Sequence, residues 1–200
     1  MALEADLTAE GKCELLRIAR ESVAAAISGK HYTATTSICD LLNQKAGAFV
    51  TLHEKGELRG CIGYIEARLP VYETVAEVAA KAAMSDPRFA SVTKSELDDI
   101  EFEISVLSPL RKISDIQEII VGKHGIMMEH GYYRGLLLPQ VAVENGWDKN
   151  EFLRYTCMKA GMDGDCYKEA GTDIYIFTAD VFSERECGLI QENDIDKKDY

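Results

Sequence analysis

The sequence predicts an α+β fold, with mainly antiparallel sheets and flanking helices. Three observations predict it. Residues 47–64 hold two strand-like runs around Lys55-Gly56, the signature of a hairpin. Ile100, Phe102, Ile104 and Val106 alternate with Glu101, Glu103 and Ser105, which marks a strand with one buried face. Helical patterns are grouped before and after the hairpins instead of alternating with single strands, as a doubly wound parallel fold would require.

The elements follow in order. Thr8 caps a helix running to about Ser28. Leu15, Ile18, Ala19, Ser22, Val23 and Ala26 fall at helical spacing, and Gly29 supplies the stop. "SICDLLNQ" adds a short helical turn. "GAFVTLHE" and "ELRGCIGY" are the two strands of the hairpin. Pro70 opens a helix with Val71, Val75, Val78, Ala79 and Ala82 on one face. That helix ends before Asp86-Pro87, because the residue before proline avoids helical geometry. Ser114 and Gln117 have capping-box spacing for a single turn. "EIIVG", "GIMMEH" and "YYRGLLLP" read as short strands, and "QVAVENG" as a helix. Asp148 and Glu151 have capping-box spacing for another helix, ending at Gly161. "DIYIFTADVF" is a last alternating strand, and residues 189–200 are a loose, mostly charged tail.

With 200 residues and no linker or repeat, the chain is expected to be a single domain over 1–200, with its core at about 15–182. There are 34 Asp and Glu against 22 Lys and Arg, for a formal net charge of −12. Such a field repels phosphate backbones, so no nucleic acid is expected as a partner. No apolar run approaches the ~20 residues of a membrane span, so no membrane is expected either. The N-terminus is polar and acidic, without a signal peptide. The six cysteines at 13, 39, 61, 157, 166 and 187 contain no C-x-x-C pair. Together these features predict a cytoplasmic chain with mostly reduced thiols and no structural metal site.

The stretch "ELRGCIGY", Glu57 to Tyr64, has chemistry at unusual spacing: two glycines flank a cysteine in a strand, where glycine costs backbone entropy and packs nothing. Alternation places Arg59, Cys61 and Gly63 on one face and Gly60 on the other. A two-residue turn pairs Leu52 with Arg59 and Val50 with Cys61, and turns His53 away from the thiol. A one-residue slip would reverse these faces. In this register Arg59 would lower the Cys61 pKa, Gly63 would clear space beside the sulfur, and Gly60 would admit a ligand or another element. The residues equally allow Cys61 to be a small packing hydrophobe. His124 in "GKHG" is either an acid–base group or a turn histidine. In "DPRF", Asp86 and Arg88 are either a clamp for an anionic ligand or a local turn with an ion pair.

"GAFVTL" (47–52), "LRGCIG" (58–63), "DPRF" (86–89), "EISVLSP" (103–109), "GKHG" (122–125) and "LLLPQVAVENGWDKNEFL" (136–153) resemble the AMMECR domain family, in order and over nearly the whole chain. The resemblance implies two unequal lobes with the motifs near a cleft between them. It points to Arg59, Gly60, Cys61, Gly63, Asp86, Pro87, Arg88, Gly122, Lys123, His124, Gly125, Pro139 and Gln140. It implies no particular reaction or cofactor. It also hints at a shared pathway with Memo-like and radical-SAM proteins. After "KAG", this chain has "MDGDCY" where many relatives carry a proline-rich turn and a tryptophan, so no role carries over to Cys166-Tyr167.

Two functions follow as expectations. In the first, the chain is a small enzyme with Cys61 as nucleophile, His124 as acid or base, and Arg59, Gly60, Gly63, Asp86, Arg88 and Lys123 around the substrate. In the second, it is a non-catalytic module binding a small molecule or a protein partner.

Overall fold

The computed structural model describes residues 7–35 and 39–190. They form two units: one from the residues up to Leu107 together with those from Asp180, the other Ser108–Ala179. The α+β class is as predicted. No described helix is long and apolar enough to cross a membrane.

Unit 1 opens with helix α1 (Ala9–Ile27), whose first turn is capped by Thr8 Oγ1 accepting from Gly11 N at 3.2 Å. Gly29, at φ +67°, ends it. Strands β1 (Ala48–Glu54) and β2 (Glu57–Tyr64) form the hairpin, followed by α2 (Val71–Met84) and β3 (Ile100–Leu107). Unit 2 holds β4 (Arg111–Ile113), β5 (Gly125–His130), β6 (Tyr133–Leu137), α3 (Pro139–Glu144), α4 (Lys149–Lys159) and β7 (Asp173–Phe177), and the chain then enters β8 (Ala179–Ser183). One four-stranded sheet has the order β2-β1-β3-β8, the other β4-β7-β5-β6.

Apolar spacing explains the cores. Leu15, Leu16, Ala19 and Val23 of α1 meet Val75, Val78 and Ala79 of α2 and the buried face of β1 and β3, Val50, Leu52, Phe102 and Ile104. In unit 2, Ile126 and Met128 of β5 pack with Phe152, Leu153 and Ile176.

Several expectations are corrected. The single turn at Ile116–Glu118 is capped by Asp115, whose Oδ1 accepts from Gln117 N at 2.8 Å, and not by Ser114. "EIIVG" is a turn instead of a strand, closed by His124 N donating to Ile120 O at 2.9 Å. "DIYIFTADVF" breaks at Thr178 into β7 and β8, which serve different sheets. The capping box at Asp148 and Glu151 is present, with both bonds at 2.9 Å. "SICDLLNQ" contributes a short turn at Asp40–Asn43, while its Ser37 and Ile38 lie outside the described residues, as do 191–200 of the predicted tail. The cysteines are not all reduced: Cys157, in α4, is disulfide-bonded to Cys166, and both are buried in the unit 2 core. Nine residues of spacing hide that pairing in the sequence, since the end of α4 turns back on itself to close it.

Candidate functional site

The hairpin turn sets the site. Lys55 and Gly56 both take positive φ, 53° and 82°, which matches the strand twist of a tight two-residue turn. Glu54 then pairs with Glu57 and His53 with Leu58, as expected. Beyond them the register slips: Leu52 faces Gly60, and Thr51 faces Cys61. Arg59 is the extra residue, a β-bulge. The slip reverses the expected faces. Cys61 lies across from Thr51 instead of Val50, and His53 shares Thr51's face of β1 instead of turning away.

The bulge frees the Arg59 side chain to leave the ladder. Its Nε donates to Glu96 Oε1 at 3.0 Å and its Nη1 to Ala90 O at 2.9 Å, so it fastens the segment after α2 to the hairpin. Glu96 also accepts from the hydroxyl and backbone N–H of Thr93. These bonds, then Arg59, hold its pKa down at about 2. Arg59 is therefore spoken for, and it is not the cation beside the thiol.

That cation is Arg88. Strand β2 lies at the edge of its sheet, so its outward backbone groups need partners. Asp86 and Arg88 provide them at Cys61. Asp86 Oδ2 accepts from Cys61 N at 2.9 Å, and Arg88 Nη2 donates to Cys61 O at 3.3 Å. The two side chains thus imitate one residue of a neighbouring strand. They are joined by a two-pronged ion pair, Nε to Oδ1 at 3.0 Å and Nη2 to Oδ2 at 2.7 Å. Arg88 N also donates to Oδ1, at 3.1 Å. Asp86 is only 4% exposed, and its pKa falls well below the usual carboxylate range, first because of Arg88 and then because of the backbone donors.

The glycines have packing explanations. A Cβ on Gly60 would collide with the carbonyl oxygen of Ala82, where the end of α2 meets the strand. A Cβ on Gly63 would collide with the Phe49 ring directly across the sheet. Gly60 thus admits another element of the protein, as one of the two expectations had it. The space expected beside the sulfur at Gly63 is filled by Phe49.

Cys61 is half-buried, and Thr51 Oγ1 donates to its sulfur at 3.3 Å. Burial pushes the thiol pKa up, with Asp86 and Glu103 adding to the rise, while the Thr51 bond and the Arg88 charge oppose it. The expected lowering by Arg59 is absent.

His124 and Lys123 belong to unit 2 and Cys61 to unit 1. His124 Nδ1 accepts from Ile120 N at 3.2 Å, closing the turn that contains Gly122 at φ +83°. Its pKa is lowered, first by burial and then by Lys123 and Arg111, with Glu118 opposing. Lys123 is exposed. Among the described residues, no three His, Cys, Asp or Glu side chains converge as a metal-binding set.

Unit 1 also holds a cavity of about 620 Å³ that no sequence motif signals. It lies between the later part of α1 (Ser22, Ala26), the segment Lys30–Ala34, and α2 (Ala76, Ala80) with Leu69 two residues ahead of it. Glu73, Glu77 and Lys81 also line it. Lys81 Nζ donates to Glu77 Oε1 at 2.8 Å and to the hydroxyl of Tyr64, the last residue of β2. Glu77, and next Tyr64, raise the Lys81 pKa, while Lys81 first and Tyr64 next lower that of Glu77. The lining residues are scattered from position 22 to 81 and share no motif, so only the fold assembles them.

Comparison with known proteins places the chain in a family. The AMMECR1 family model matches residues 16–182. A protein of Nanoarchaeum equitans is 43% identical over 177 residues, covering 85% of this chain and 98% of its own. One from Methanothermobacter thermautotrophicus is 45% identical over 177 residues, covering 85% and 92%. The crystal structure of PH0010 from Pyrococcus horikoshii, described as an uncharacterized protein, superposes with a TM-score of 0.81 at 39% identity, covering 84% of this chain and 89% of that one. The two-sheet fold is thus shared with that structure, and the chain is a member of the AMMECR1 family.

Proposed function

We propose that this protein is a non-catalytic small-molecule-binding module whose ligand occupies the cavity between α1 and α2. The observation that carries the reading is the cavity itself. Its volume of about 620 Å³ suits a small organic molecule. Ala26, Ala34, Leu69, Ala76 and Ala80 give it apolar walls, and the Lys81–Glu77 pair, Lys30 and His31 give it polar groups for a ligand. The motif residues support this reading indirectly. Arg59, Asp86 and Arg88 are engaged in holding the β2 edge, and Gly60 and Gly63 accommodate protein atoms. The family model spans both units, in keeping with one domain. The reading places the chain in the cytoplasm, away from membranes and nucleic acids, in keeping with its net charge of −12. The Cys157–Cys166 disulfide is buried and so shielded from soluble reductants.

The rival reading makes Cys61 a nucleophile with His124 as acid or base. It is favoured by the Arg88 charge near the thiol and opposed by the net rise in the thiol's pKa.

The dye 8-anilinonaphthalene-1-sulfonate, small and largely apolar with one anionic end, is a suitable first probe. The binding reading expects saturable fluorescence enhancement by the native protein, lost in Ala80→Trp, which fills the cavity, and kept in Cys61→Ala. Binding unchanged by Ala80→Trp would overturn it. A metabolite thermal-shift screen then identifies the natural ligand class.

A further inference from the structure

The cavity between α1 and α2 sorts its charges. Two ammonium and two carboxylate side chains line it: Lys30, Lys81, Glu73 and Glu77. Two of the four are committed to each other. Lys81 Nζ donates to Glu77 Oε1 at 2.8 Å, and the Tyr64 hydroxyl donates to the same oxygen at 2.6 Å. The other two are not committed. Among the described residues, neither Lys30 nor Glu73 has an ion-pair partner, and they do not pair with each other. They belong to different walls. Lys30 follows α1, where its backbone N donates to Ala25 O at 2.9 Å. Tyr32, two residues on, donates from its hydroxyl to Glu21 Oε2 at 3.0 Å, so this wall is tied back to α1. Glu73 stands in the first turn of α2, and its Oε1 accepts from the Tyr72 hydroxyl at 2.9 Å, which leaves Oε2 for a ligand. Ser22 Oγ donates to Ala76 O at 2.6 Å and joins the two helices where both line the cavity.

We infer that the ligand is a zwitterion: an amino acid with an apolar side chain, its carboxylate on Lys30, its ammonium on Glu73, and its side chain against Ala26, Ala76 and Ala80. The inference rests on the reading of the cavity as a binding site and adds the class of molecule. Uncommitted charges of opposite sign on two walls select a ligand that carries both. A simple anion would pair with Lys30 but meet Glu73, in a chain whose net charge of −12 already repels it. A simple cation would pair with Glu73 but meet Lys30. A neutral apolar molecule would fill the walls and cover both charges without pairing either.

The test is calorimetric titration of the full chain at neutral pH with three probes. They are L-leucine, isocaproate, which lacks the ammonium, and isoamylamine, which lacks the carboxylate. Leucine should bind saturably, and each singly charged analogue roughly tenfold more weakly. Glu73→Gln should weaken leucine binding roughly tenfold and leave isocaproate unchanged, while Lys30→Met should weaken leucine equally and leave isoamylamine unchanged. Leucine that binds no tighter than both analogues would overturn the inference, as would leucine binding unmoved by Glu73→Gln and Lys30→Met. Dye binding measured in parallel separates this failure from that of the cavity reading. If Ala80→Trp abolishes dye binding while leucine shows no preference, the cavity binds ligands and the zwitterion is wrong. If Ala80→Trp leaves dye binding unchanged, the cavity reading falls and the zwitterion with it.

Discussion

The outer edge of β2 and the cavity between α1 and α2 lie in the same unit, yet their characters are opposite. At the edge, the backbone N–H and C=O of Cys61 both have side-chain partners, and the spaces at Gly60 and Gly63 are filled by Ala82 and Phe49. In the cavity, small apolar residues leave about 620 Å³ open. The edge carries the recognisable motifs, and the cavity carries none. The contrast teaches that a strong motif can mark a difficult piece of folding, here a bulged edge strand against a helix end. The room for a ligand can lie where the sequence is plain.

If the edge is a folding device, damage there must show first in stability. Gly60→Val should have the largest effect, because its side chain would meet the backbone of α2 and not a flexible group. A loss of about 3 kcal/mol or more is expected, read by urea unfolding or as failure to accumulate folded protein. Arg88→Ala comes next, at about 3 kcal/mol, because it leaves the buried Asp86 charge without its main partner. Arg88→Lys should recover only part of that loss, since an ammonium cannot make the two-pronged contact. Asp86→Ala should cost less than Arg88→Ala, although Asp86 is the more buried residue, because it removes the buried charge itself. If the order is reversed, the clamp is not electrostatic.

Acid sharpens the same comparison. The folded pKa of Asp86 lies below the unfolded value of ~3.9, so its contribution is fully present above that pH and is lost as pH falls through the folded value. Glu96, at about 2, acts in the same direction. Stability measured from pH 5 down to 2 should therefore decline, and Asp86→Asn should flatten the decline. The smallest effect on stability is expected in the cavity, where Ala80→Trp should change it by about 1 kcal/mol or less while abolishing dye binding.

Local rules were enough to find the helices and the hairpin. Thr8, Gly29, the Lys55-Gly56 turn and the Asp148–Glu151 box each act within a few residues and were legible. The register beyond the turn was not, because the bulge depends on Arg59 reaching Ala90 and Glu96, more than thirty residues away in sequence. The break at Thr178 was hidden because alternation continues through it, and only the sheets show that β7 and β8 part company. Asp86 and Arg88 could be picked out as a pair, but their service to an edge strand required knowing that β2 has no neighbour on that side. The Cys157–Cys166 pair was equally invisible, since spacing alone does not say which turns meet.

The most direct test of the central claim is the pH dependence of Cys61 alkylation by iodoacetamide in the native protein, followed by peptide mass spectrometry and compared with the same peptide unfolded. If β2 is a scaffold, Cys61 reacts more slowly than in the unfolded chain, and its rate rises only above the free-thiol range near ~8.5. A native Cys61 that reacts faster than the unfolded thiol, with its rate rising well below that range, would contradict the account and restore the thiol as a nucleophile.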